Sequence, residues 1–164
     1  MITPKDGADA INYLFAAQAI TVVDNQDRVW ADYLNSEIPD VTATDLLPAC
    51  RDSVRAWSQS GRKWRIDVEE FTGAIRRIRR ARLDAAGPAP ASGLDPAPEV
   101  EHRFQRAWIR AIAAGATVER AAEVAYQRAG LTPPPRVDAP ADPERVRQIL
   151  AAASRAVTNP EENE

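Results

Sequence analysis

Residues 66–83 read IDVEEFTGAIRRIRRARL, and this stretch decides the fold class. Asp67 has the character of a helix N-cap, and Glu70 follows three residues later, as in a capping box with Asp in place of Ser or Thr. Ile66 before the cap and Phe71 at the fourth helical position have the spacing of a hydrophobic staple. With Phe71 set at zero and about 100° per residue, Ile75 and Ile78 fall within about 40° of it. Arg76, Arg77, Arg79 and Arg80 spread from about 80° to about 240°. The spacing predicts an amphipathic helix running to about Leu83, with an apolar stripe on one side and guanidinium groups on the back.

Three more helices fit before it. The first is capped by Thr3, has Pro4 where proline is welcome, and places Ile11, Leu14, Phe15 and Gln18 on one face. The second follows Asp24 and Asn25, shows Trp30, Tyr33 and Leu34, and stops before Pro39. The third starts between Thr44 and Pro48 and carries Leu47, Cys50, Val54 and Trp57, three and four apart. Residues 58–65 read as a basic loop around Gly61.

The expected fold class is therefore all-α. A small four-helix N-terminal bundle over residues 1–84 should bury Phe15, Trp30, Leu34, Val54, Trp57, Phe71, Ile75 and Ile78 together. Residues 85–98, AAGPAPASGLDPAP, have the composition of a flexible linker. A helical hairpin follows at 99–130, broken at Gly115. Its first helix carries Val100, Phe104, Trp108 and Ile112, and its second, capped by Thr117, is lined mostly by alanine. A proline-rich linker at 131–141 leads to a short amphipathic terminal helix at 142–157 and a polar tail at 158–164, expected to be disordered.

Composition narrows the function classes. The 164 residues are 45% hydrophobic and 27% charged, as in ordinary globular proteins. The single cysteine, Cys50, allows no internal disulfide and suits a reducing compartment. No run approaches a membrane span, and MITPKDGADA does not read as a signal peptide, so a cytoplasmic location is expected. The motifs GxxxxGK[ST] and GxGxxG are absent. His102 lacks ligand-type neighbours at metal-binding spacing, and Cys50 sits on an apolar stripe, where cysteine behaves as a small hydrophobe. Asp24, Asp27 and Asp32 lack the pattern of a calcium loop and read as capping and surface residues. The expectation is a protein that is not an enzyme, with no catalytic residues, cofactor, metal or small-molecule substrate.

Charge is the positive signal. Residues 1–50 carry two basic and eight acidic side chains, and residues 51–83 carry ten basic and four acidic ones. Arg76, Arg77, Arg79 and Arg80, extended by Arg55, Arg62, Lys63 and Arg65, form a candidate surface for nucleic acid or an acidic partner. Three readings stay open: the acidic first half absorbs the charge by internal ion pairs, DNA phosphate takes it, or an acidic protein does. Trp57 is expected in the core, and Trp64 is either core or free to stack on a partner. Phe104, Trp108, Ile112, Val146, Ile149 and Leu150 form a second candidate set for partner binding, because their stripes are too small for an independent core.

The order of these features is also familiar. Trp30 with Tyr33 and Leu34, then Leu46, Leu47 and Cys50, then Asp67-Val68 and Ala74-Ile75-Arg76-Arg77-Ile78-Arg79 resemble the small helical loader-and-inhibitor proteins that phages direct at the replicative helicase. The resemblance covers about residues 1–83 and is one of spacing. It implies a non-enzymatic phage or prophage replication adaptor without an ATPase site. Such an adaptor holds a DnaB-type replicative helicase and passes it to DNA or a DNA-bound replisome organiser. The C-terminal region is longer than in that family and contains a candidate hairpin. Two rivals are a small DNA-binding regulator, using the basic helix 67–83 or a helix-turn-helix around 105–130, and a phage structural or assembly-chaperone protein.

Overall fold

A computed structural model describes residues 1–62 and 65–134. Lys63 and Trp64, the linker beyond residue 134, the terminal helix with Val146, Ile149 and Leu150, and the polar tail lie outside the described residues. The protein is all-α: the described residues form α1 (Pro4–Ala16), α2 (Gln26–Glu37), α3 (Ala43–Ser60), α4 (Val68–Ala86), α5 (Pro98–Ala113) and α6 (Val118–Ala129). Residues Met1–Pro133 make one compact unit.

Local chemistry sets the helix starts. Thr3 and Asp6 form a reciprocal capping box on α1, and Thr42 and Asp45 form another on α3. The second box explains why α3 begins earlier than the Thr44–Pro48 window suggests. Pro48 then lies inside the helix, where it forfeits one backbone hydrogen bond. Asp67 caps α4 by accepting from the Glu70 N–H at 2.8 Å. Thr117 caps α6.

Two cores result, and α4 borders both. Ile11 and Leu14 from α1, Trp30 and Leu34 from α2, Leu46 and Cys50 from α3, and Phe71 and Ile75 from α4 share the first. Trp30 and Phe71 meet there with ring centroids 5.4 Å apart. Phe104, Trp108 and Ile112 pack on Ala121, Ala125 and Ala129 in the second, with Leu83 and Ala86 of α4 against them. That contact explains why α4 continues past Leu83: its last turn has a helix to cover.

Several expectations change. Phe15 is 56% exposed. α1 ends one residue later, the chain turns through Gln18 at φ 57°, and Ala19 and Ile20 fill the core in its place. Leu47 is exposed, because the buried stripe of α3 runs through Asp45, Leu46, Ala49, Cys50 and Ser53, one residue off the stripe read from sequence. Val54, Trp57 and Ile78 are half-buried at the rim. The segment after Gly87 makes specific contacts. The Ser92 N–H donates to the Glu101 carboxylate at 3.0 Å, and the Tyr126 hydroxyl donates to the Ser92 carbonyl at 2.8 Å. Ser92 is buried and Ala89 packs on the second core, so this stretch is pinned to both helices of the hairpin.

Helix α1 approaches α2 at Gly7, where an added Cβ would lie 2.7 Å from the Asp27 carbonyl oxygen. At Gly73 of α4 the nearest atom would be Arg77 Nη1 at 3.6 Å, an ordinary contact. Both glycines are helical, so propensity alone favours alanine at each by about 1 kcal/mol. Overpacking costs about 1–3 kcal/mol, and at Gly7 it should win. Gly7→Ala is expected to lower the urea midpoint and Gly73→Ala to raise it. A rise in the midpoint with Gly7→Ala would refute the close approach of α1 to α2.

Candidate functional site

The arginine helix was the leading candidate surface, and its side chains turn back into the fold. Arg76 pairs with Glu37 of α2 at 2.7 Å, and Arg77 sends two N–H groups to one Asp52 oxygen of α3, at 2.7 and 3.2 Å. Arg80 pairs with Asp84 one turn along at 2.9 Å. Both members of each pair are more than a third exposed, and each pair is worth about 0–1 kcal/mol.

Arg79 and Arg82 are different. Both reach Asp45, whose side chain is wholly buried. Arg82 donates to Asp45 Oδ1 and also to the Ala113 carbonyl at 2.8 Å, so one guanidinium joins α3, α4 and the end of α5. Arg79 Nη1 stands 3.9 Å from Oδ2, close enough for charge attraction without a hydrogen bond. The Thr42 N–H adds a bond to Oδ2 at 3.2 Å. Sequence reading missed Arg82 as a core-facing residue, although about 100° per residue places it only about 20° from Phe71.

The remaining candidates disperse. Arg62 pairs with Glu70, Arg65 donates to the Gln18 carbonyl and lies 5.8 Å over the Trp57 ring, and Arg55 is exposed. Phe104, Trp108 and Ile112 are at most 3% exposed, so they serve the hairpin's own core and cannot anchor a partner while it is folded. Two open grooves were not anticipated. One lies between α1 and α3, about 250 Å³, lined by Ala10, Tyr13, Leu46 and Leu47 with Asp6 and Asp9 beside them. The other lies along α5 and α6 and is lined by Arg103, Arg106, Arg110 and Arg128. The spacing of three and four between Arg103, Arg106 and Arg110 on α5 was the available signal for the second.

Cys50 borders the first groove from below and is 1% exposed. Burial pushes its thiol up to about 12. A thiol this protonated is a poor nucleophile. His102 is exposed, and no group of three or more His, Cys, Asp or Glu among the described residues is placed to hold a metal ion.

Asp45→Ala leaves the buried Arg79 and the part-buried Arg82 without their carboxylate and should cost about 3–5 kcal/mol of stability. Arg76→Gln and Arg77→Gln should each cost no more than about 1 kcal/mol. Urea unfolding measures all three, and a mild Asp45 variant would remove the joint from the account. For Cys50 the folded pKa is raised, so its contribution is complete below the ordinary thiol range and is lost as pH climbs towards about 12. Cys50→Val should flatten the alkaline fall in stability, and native Cys50 should resist thiol labelling at pH about 8 until the chain unfolds. Compared with protein-family models, curated proteins and solved structures, the chain matches none.

Proposed function

We propose that the protein is a non-enzymatic adaptor that binds a DnaB-type replicative helicase, in the manner of the phage loader-and-inhibitor proteins that residues 1–83 resemble. The observation that carries this reading is the groove between α1 and α3. Tyr13 and Leu47 line it while 38% and 46% exposed, so two sizeable apolar side chains face one cleft. An apolar cleft of about 250 Å³ suits one or two anchoring side chains of a partner helix. Asp6 and Asp9 beside it favour a partner segment with basic flanks.

The helicase contact then belongs to the N-terminal helices, since the hairpin anchors are buried. The alternative of a DNA-binding regulator that uses the basic helix is weakened by the ion pairs of Arg76, Arg77, Arg79, Arg80 and Arg82. In a helix-turn-helix reading α6 would be the recognition helix. It carries Glu119 and Glu123 on its exposed side, with Arg120 paired to Glu123 at 2.8 Å.

The test is direct binding of the purified chain to a DnaB-type hexamer, followed by gel filtration or interferometry. Tyr13→Ser and Leu47→Ser should each weaken binding about tenfold or more while the thermal melt stays within a few degrees. Failure of the wild-type chain to bind would sink the helicase reading. Full binding by both variants would move the contact away from this groove.

A further inference from the structure

We propose that the groove along α5 and α6 binds the phosphodiester backbone of a nucleic-acid duplex without reading its sequence. The inference stands apart from the helicase reading, because it rests on different helices and a different chemistry.

The groove encloses about 670 Å³, and its charged lining is Arg103, Arg106 and Arg110 of α5, Arg128 of α6, and Asp40 from the α2–α3 connection, a net of +3. Three of the four arginines, Arg103, Arg106 and Arg128, form no ion pair among the described residues. Arg110 faces Asp40 at 3.5 Å, and Arg106 Nε donates only to the His102 carbonyl of its own helix at 3.3 Å. This is the reverse of α4, where the arginines meet internal carboxylates. The acidic residues of the hairpin stay out of the groove. Glu101 accepts from Ser92 and Gln105, Arg120 pairs with Glu123, and neither Glu99 nor Glu119 lines the cleft.

The ligand class follows from what lines the groove and what does not. Residues 103, 106 and 110 form a row about 10 Å long on the helix, roughly three phosphate steps of one strand. Arginine forks bind phosphate and remain charged at every physiological pH. An acidic peptide would need apolar anchor pockets, and the apolar lining is only Ala107, Ala111, Ala114 and Val124. An unpaired strand would gain from aromatic stacking platforms, and no ring among the described residues lines the groove. A small phosphate compound would favour an enclosed site, whereas all four arginines are exposed. A duplex backbone needs only an accessible row of positive charge.

The experiment is fluorescence anisotropy of the full chain with a short labelled DNA duplex over a salt series. Raising salt from about 50 to about 200 mM should weaken binding on the order of a hundredfold, the slope for about four neutralised phosphates. The triple variant Arg103→Gln, Arg106→Gln, Arg128→Gln should lower that slope by about three and bring binding close to background. Asp40→Asn frees Arg110 and should tighten binding several-fold, a gain that damage to the fold cannot mimic. A second duplex of unrelated sequence should bind equally. The proposal is overturned if the wild-type chain ignores the duplex at low salt, or if Asp40→Asn leaves affinity unchanged. It is also overturned if polyglutamate or the single strand binds more tightly than the duplex.

Discussion

The folded unit depends on a carboxylate that water does not reach. Asp45 sits in the first turn of α3, wholly buried, and receives Arg82 and Arg79 from α4 together with the Thr42 N–H of its own cap. A buried charge of this kind is tolerable only when it is paired and hydrogen-bonded, which constrains every element that supplies a partner. Arg82 extends the constraint to α5 through the Ala113 carbonyl. Gly115 lies against the same guanidinium. It has φ 93°, and a Cβ there would stand 3.4 Å from Arg82 Cζ. The turn that leads into α6 is therefore shaped by the same arginine that ties α3 to α4.

That joint explains how a short apolar hairpin acquires a fixed seat. Phe104, Trp108 and Ile112 find mostly alanines on α6, with the Tyr126 ring 4.9 Å from Phe104, too little surface for independent stability. Leu83 and Ala86 of α4 complete the enclosure, and Ser92 closes it from the connecting segment through Tyr126 and Glu101. The second core is thus stabilised by a helix that already belongs to the first. It also accounts for the opposite fates of the two arginine sets. On α4, Arg76, Arg77, Arg79 and Arg82 meet carboxylates of α2 and α3, whereas on α5 the row faces a groove with a single carboxylate among the described residues. Arginine is densest on α4, yet Arg103, Arg106 and Arg128, which form no ion pair among the described residues, lie along the hairpin.

Two surfaces of different chemistry follow, an apolar cleft with an acidic rim on α1 and α3 and an arginine cleft on α5 and α6. Apolar clefts gain affinity from desolvation, and arginine clefts gain rate and salt-dependent affinity from long-range attraction.

The sequence by itself determined the helices. Helix caps are local, a side chain meeting a backbone N–H three residues away, and so Thr3, Asp67 and Thr117 could be read without any tertiary knowledge. Periodicity likewise placed Trp30, Leu34, Phe71 and Ile75 in one core. Tertiary structure alone decided where charge ends up, because an ion pair such as Arg77 with Asp52 or Arg76 with Glu37 joins residues 25 and 39 positions apart. It also decided that Phe15 is left outside and that Phe104 and Trp108 are covered. Those outcomes depend on which helix arrives at a given face, and only the packed chain contains that information.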